Sequence, residues 1–365
     1  MKAVIYSCVI LSLIIFNPCR AMDNTIKKIS HLREITAPEP IRAIAFLNKE
    51  KILLGTKKGC FITTTQDISS SSQVHGSPVS RIAVNHNRNK FITWHGGVIH
   101  SYDTETKEAS TLSDLPLIYS AAFSPTDDTI FVHKNKTCIS NCGKPYNLPS
   151  HLESEFDVGY HPTQKKIIYP NNNSMLTDIN FEDSDPKISH LFISNLYPSR
   201  QVEKIVYNND GSYLALIHHD YNTLHVTIYN SLSKSTYYLG TCRAIKFHPN
   251  NIIAVLVLIN GTIDFWNIKT NERIMGKELF RKIPASVHSY PYDIDFSPNG
   301  LQFIILINTQ CFIGMVPAKV YDTKTKERCI LAWYMLKHFN HDESTALPQD
   351  IAQIIMSNLI EISQF

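Results

Sequence analysis

Several things that most enzymes and membrane proteins are built around are scarce or missing in this chain. Only 13 of its 365 residues are glycine, and none of them falls in a phosphate-cradling loop. There is no Gly-x-Ser-x-Gly elbow and no His-Glu-x-x-His pair, so the serine-hydrolase and zinc-protease signatures are lacking. Neither charge sign dominates: 35 Lys and Arg stand against 32 Asp and Glu, a net charge of +3. A balance this even gives no electrostatic footprint for a phosphate backbone, which argues against nucleic acid as a partner. Beyond the N-terminus no apolar run approaches the roughly 20 residues that a membrane-spanning helix needs. With 18 prolines and a charged fraction of 18%, the composition is that of a globular chain and not of a disordered one.

What the chain does have is tyrosine and phenylalanine, 17 of each, together with abundant Ile, Thr and Asn. These are residues of strands and turns. The first residues read differently. Lys2 precedes an apolar run from Ala3 to Phe16, Asn17-Pro18 breaks it, and Cys19-Arg20-Ala21 offers small residues at the positions before a cleavage point. Residues 1–21 are therefore expected to be a secretory signal, with a secreted or periplasmic product starting at Met22 and no stable membrane span afterwards. Removing them takes away Lys2 and Arg20 and leaves 33 basic residues against 32 acidic ones. Six cysteines remain: Cys60, Cys138, Cys142, Cys242, Cys311 and Cys329. Most sit in apolar strand patterns and read as small buried hydrophobes. Cys138-x-x-x-Cys142 reads as a local disulfide or as two unrelated thiols, since no further metal ligands lie beside it.

Internal repetition is the decisive signal. One short pattern returns seven times: Ala43–Phe46, Arg81–Val84, Ser120–Phe123, Asp157–Tyr160, Lys204–Tyr207, Ala244–Phe247 and Asp293–Phe296. Turn chemistry follows several returns, as in Ser124-Pro125, His161-Pro162, Asn209-Asp210-Gly211, His248-Pro249-Asn250 and Ser297-Pro298-Asn299-Gly300. Next comes a strongly apolar run, such as Tyr213–Ile217, Ile252–Leu258 or Phe303–Ile307. A third strand then ends in an aromatic and a polar residue (Tyr102-Asp103, Tyr229-Asn230, Trp266-Asn267, Tyr321-Asp322) before a polar corner. Strand, turn, strand, loop, strand, corner, strand is the plan of one propeller blade.

The run Gly261-Thr262-Ile263-Asp264-Phe265-Trp266-Asn267-Ile268-Lys269-Thr270 resembles the third strand and Trp-Asp ending of WD40 repeats. The resemblance implies an all-β fold, a seven-bladed WD40-like β-propeller over residues 22–330, followed by a small C-terminal α-helical tail over 331–365. No unit carries the family's Gly-His dipeptide, and one unit alone has Trp at the Trp-Asp position. The segment Ile26–Arg33 alternates enough to be the strand that closes the ring onto the seventh blade.

In the tail, Pro348 suits a first helical turn. Ile351, Ile354, Ile355, Leu359 and Ile362 then form the stripe of an amphipathic helix. The stretch Leu347–Leu359 resembles the opening helix of F-box-like motifs, which implies a partner-binding role for Leu347, Pro348, Ile351, Ile354, Ile355 and Leu359. Packing of the same helix on the propeller is the plainer expectation.

No cofactor or metal is expected, and no catalytic constellation stands out. Ser231-Leu232-Ser233-Lys234 fits Ser-x-x-Lys but falls in a polar corner, and His218-His219-Asp220 reads as a solvated hairpin tip. Asn135, Asn172 and Asn260 head glycan-acceptor triplets. The function expected is therefore a non-catalytic scaffold for protein partners. One alternative is an exported effector whose tail helix recruits ubiquitin machinery. A second is a propeller hydrolase or lyase with a metal among Asp157, Asp293 and Asp295 in the central channel.

Overall fold

Runs such as Tyr213–Ile217 are apolar at every position, and a strand of that kind is stable only where both of its faces are covered. The computed structural model shows how they are covered. It describes residues 33–316, except 36–38, 67–70, 115–117, 127–128, 134–137, 142–143, 148–157, 171–174, 182–186, 194–201, 221–222, 259–261, 277–291 and 308. Among the described residues all regular structure is strand, and neighbouring strands pair antiparallel.

A short strand, β1 (Arg33–Ile35), comes first. One sheet then holds β2 (Ile41–Phe46), β3 (Lys51–Thr56), β4 (Gly59–Thr64) and β5 (Ser72–His75) in sequence order. The next holds β6 (Arg81–Val84), β7 (Lys90–His95), β8 (Val98–Asp103) and β9 (Ala109–Asp114). A third is β10 (Ile118–Phe123), β11 (Thr129–His133), β12 (Cys138–Asn141) and β13 (Lys144–Asn147). A fourth is β14 (Gly159–Tyr160), β15 (Lys166–Pro170), β16 (Met175–Asn180) and β17 (Lys187–Phe192). Seven strands make the following sheet: β18 (Val202–Tyr207), β19 (Tyr213–Asp220), β20 (Thr223–Asn230), β21 (Thr236–Phe247), β22 (Ile253–Leu258), β23 (Ile263–Asn267) and β24 (Glu272–Gly276). Last come β25 (Tyr292–Phe296), β26 (Gln302–Ile307) and β27 (Gln310–Met315), with β1 added on the far side of β27.

The twelve-residue β21 explains the larger sheet. Its first half pairs with β20 (Tyr229 opposite Thr236, His225 opposite Thr241), and its second half pairs with β22 (Cys242 opposite Leu258, Phe247 opposite Ala254). One strand thus ends one unit and begins the next. A bulge recurs at the start of the innermost strands: the register skips Arg42, Tyr119, Glu203 and Arg243 in β2, β10, β18 and β21. A bulge bends the strand and increases its twist, and here it does so at the same point of four units.

The core is divided among the spaces between consecutive sheets. Along β26, Phe303, Ile305 and Ile307 face one neighbour and pack with Val255, Val257 and Phe265. The alternate residues Ile304 and Leu306 face the other and pack with Ile35, Ile44, Phe46 and Leu54. The same division runs along β19, where Leu214 and Leu216 go one way and Ala215 and Ile217 the other. Period-2 geometry therefore turns each continuous apolar run into two half-cores. Burying one such side chain contributes about 1.5–3 kcal/mol. Because the core that joins β26 to β2 and β3 includes the last sheet and the first, the series closes on itself.

The strand that closes the series is described over Arg33–Ile35, with Arg33 opposite Ile313, Glu34 opposite Phe312 and Ile35 opposite Cys311. Of the segment Ile26–Arg33 expected there, residues 26–32 lie outside the described residues. Ile35, 2% exposed, carries the apolar side chain that reaches the closing core. The third strand of the last sheet is Gln310–Met315. Tyr321-Asp322, the segment 1–21 expected to be a signal, and the tail 331–365 lie outside the described residues.

Starting the chain at Ala37 removes β1 and uncovers the edge of β27. At about 2–4 °C per kcal/mol for a chain of this class, differential scanning calorimetry is expected to show a midpoint at least 5 °C lower. Size-exclusion chromatography should show self-association through the exposed edge. An unchanged midpoint would mean that β1 does not close the ring.

Candidate interaction surface

Antiparallel strands put the turns between first and second strands, and between third and fourth, on one rim. The second-to-third hairpins and the connections to the next sheet fall on the other. On the first rim the turns share one construction. The residue directly after the innermost strand is Leu47, Asn85, Ser124, His161, Asn208, His248 or Ser297, and all but His161 are buried. In three of these turns its side chain accepts from the first main-chain N–H of the second strand. Lys90 donates to Asn85 Oδ1 at 2.8 Å, Tyr213 to Asn208 Oδ1 at 2.9 Å, and Gln302 to Ser297 Oγ at 2.9 Å. The fourth turn residue is left-handed: Arg88, Gly211, Asn251 and Gly300 have φ of 56°, 76°, 60° and 69°.

Glycine at two of these positions serves the neighbouring unit as well. A Cβ on Gly211 would lie 2.2 Å from the His161 ring, and one on Gly300 would lie 2.4 Å from the His248 ring. His248 Nε2 donates to the Gly300 carbonyl at 2.9 Å, while its Nδ1 accepts from the Asn250 N–H at 3.1 Å. That pair of bonds fixes the neutral Nε2–H tautomer. Burial holds the His248 imidazole below its ordinary range, against smaller upward pulls from the Gly300 main chain and Asn250. The ring also meets Phe296 edge-on, and His161 meets Tyr207 at a tilt. A histidine after one innermost strand thus packs on the aromatic that ends the next.

The third-to-fourth corners are locked by the polar member of each aromatic-polar ending. Asp103 Oδ1 accepts from Glu105 and Thr106, Asn230 Oδ1 from Leu232 and Ser233, and Asn267 Oδ1 from Lys269 and Thr270. These are Asx turns. Ser231 belongs to such a corner and donates to the Ser212 carbonyl at 3.0 Å, so Ser231 and Lys234 have turn-forming roles. Leu232, at the tip of this corner, is 82% exposed, and Met315 is exposed on the same rim.

Charges on the innermost strands pair across units. Lys204 reaches Asp293 at 3.7 Å, and Lys246 reaches Asp295 Oδ1 at 3.2 Å. The other oxygen of Asp295 accepts from Phe46 N–H at 2.8 Å, and Arg88 donates to the Phe46 carbonyl at 2.6 Å. Asp295 therefore ties the last sheet to both of its neighbours. Carboxylates already matched to ammonium groups are poor donors for a cation such as calcium. Asp157 lies outside the described residues.

The His218-His219-Asp220 reading needs correction. These residues are strand, the end of β19, and not a solvated tip. His218 is fully buried with Nε2 3.0 Å from Thr227 Oγ1, whereas His219 turns the other way and meets Glu203 at 3.0 Å. Sequence reading missed a second group, His75 and His100. Desolvation, then the neighbouring His100, lower the His75 imidazole to about 4, against a smaller pull from the Ser77 main chain. Cys60, Cys242 and Cys311 are free and buried, and burial pushes the Cys60 thiol up to about 12. Asn135, Asn172 and Asn260 lie outside the described residues, as do Cys142 and Cys329 and the six tail positions Leu347, Pro348, Ile351, Ile354, Ile355 and Leu359.

A closed series of antiparallel sheets, with first strands side by side and turns on two rims, is a β-propeller. The comparison with solved structures agrees. The β-propeller domain of Myceliophteria thermophila Cps50 (Swd1) superposes with a TM-score of 0.58, covering 78% of this chain and 98% of that domain at 10% identity. At that identity the likeness concerns the fold alone. No protein-family model matches the sequence, and no curated protein matches it.

Two outcomes test this account of the rims. Asp295→Ala leaves the Phe46 N–H without its acceptor and is expected to cost about 1–3 kcal/mol in urea unfolding. Histidines held neutral in the fold but titrating near 6.5 when unfolded make stability fall with acid. The loss starts as pH drops below about 6.5 and for His75 continues to about 4. The unfolding midpoint should hold between pH 8 and 7 and fall between 6.5 and 5, with a shallower fall in His248→Asn.

Proposed function

We propose that the protein is an exported seven-bladed propeller that acts as a non-catalytic scaffold for protein partners. The count of seven is supported by dividing the seven-stranded sheet at β21, where pairing passes from β20 to β22, and by taking β1 as the fourth strand of the last unit. The observation that carries the non-catalytic reading is the pairing of Asp293 and Asp295 with Lys204 and Lys246. In a propeller hydrolase or lyase, carboxylates of the central channel would be presented to substrate or metal; here Asp295 pairs with the preceding unit and Asp293 with the unit before that. Rims held by buried turn residues leave outward side chains such as Leu232 for recognition on a rigid disc. Export rests on the signal-like segment 1–21 and predicts a mature N-terminus at Met22.

The test is affinity capture with the mature chain, a Leu232→Asp variant and a chain ending at residue 339, each checked for an unchanged melting point. A saturable protein partner lost in Leu232→Asp supports the scaffold and assigns its rim. Loss of a ubiquitin-ligase adaptor in the shortened chain alone would instead give the tail helix the recruiting role. Turnover of a substrate that Asp295→Asn abolishes would replace the scaffold by an enzyme. N-terminal sequencing of the exported protein checks the cleavage point.

A further inference from the structure

His75 ends the last strand of the first unit, and His100 sits in the third strand of the second. Their ring centroids are 4.8 Å apart with planes inclined by 38°. One nitrogen of each ring is held by a threonine: His75 Nε2 lies 2.8 Å from Thr93 Oγ1, and His100 Nδ1 lies 3.3 Å from Thr111 Oγ1. The other nitrogens, His75 Nδ1 and His100 Nε2, are buried and, the weak pull of the Ser77 main chain on His75 aside, have no hydrogen-bond partner. Two orphaned nitrogens on neighbouring rings are unusual, because an unpaired buried polar atom costs about 1–3 kcal/mol.

We infer that His75 and His100 form a two-histidine site for a divalent transition cation of the zinc, nickel and copper group. Neutral imidazole is the preferred side chain for these ions. The spacing fits. With metal–nitrogen bonds of about 2.0–2.1 Å, two rings sharing one metal at tetrahedral to right angles place their centroids about 5 Å apart. Thr93 and Thr111 supply the outer hydrogen bonds that fix which nitrogen faces the ion, as the partners of metal-bound histidines do. Water or a partner's carboxylate completes the coordination. Because the two histidines belong to consecutive sheets, a bound ion cross-links them, so binding to the folded state raises stability.

The experiment uses untagged mature protein stripped with EDTA and titrated with zinc chloride at neutral pH. Calorimetry should show one equivalent bound, and thermal unfolding should show a midpoint raised by zinc and restored by EDTA. Copper(II) in place of zinc should give an electron paramagnetic resonance spectrum with two imidazole nitrogens. His100→Phe abolishes all three signals, and Thr111→Val weakens binding by about 10-fold to 100-fold. Absence of saturable binding overturns the site and leaves the rings as a neutral stacked pair. Binding that survives His100→Phe overturns it as well, by assigning the ion to other histidines. Should His75→Phe fail to fold, His100→Phe and Thr111→Val decide the matter without it.

Discussion

Everything in this molecule depends on the second strand of each unit being apolar on both faces. No single sheet buries such a strand, so each must lie between two others. A linear stack would leave two sheets uncovered at its ends, and a closed ring leaves none. β1, three residues long, shows how the closure is secured. It gives the last sheet its outer strand and contributes Ile35 to the core shared with the first.

Closure sets the conditions on the innermost strands. Units crowd together at the axis, so small residues and tightly paired charges suit that place. A Cβ at Gly159 would lie 2.4 Å from Ile205 of the next unit, and one at Gly55 would lie 2.5 Å from Val79. Lys204, Lys246, Asp293 and Asp295 spend their charge on one another. The axis is thereby a joint, and the turns lie outward on the rims. There, turn residues are buried and hydrogen-bonded beneath while their neighbours face solvent. Rigid support under variable side chains is what a binding surface requires.

Legibility in the sequence followed how local each determinant is. The seven short returns and the apolar runs after them mark first and second strands closely: Arg81–Val84 is β6 as read, and Ile252–Leu258 differs from β22 by one residue. Turn residues were legible because their chemistry acts within four or five positions. The Asx corners at Asp103, Asn230 and Asn267 are the polar ends of the aromatic-polar pairs. Features that depend on distant contacts were not legible in the pattern. Alternation in Ile26–Arg33 did not show that Ile35 reaches the closing core. His218 looked like loop because nothing near it in sequence reveals that it is covered and paired with Thr227. Neither His75 nor His100 stood out, since their meeting joins residues of two sheets.

The sequence by itself determined that the described part of the chain is built of strands in repeated units, because strand period and turn chemistry are properties of a few consecutive residues. Only the tertiary structure decided which charges cancel, which histidines meet and which strand closes the ring. Those outcomes hinge on the placement of one sheet against the next. That placement comes from packing two apolar faces together, and any apolar face of the right shape satisfies it. The sequence pattern therefore announces that the faces will be covered, and the fold alone says by what.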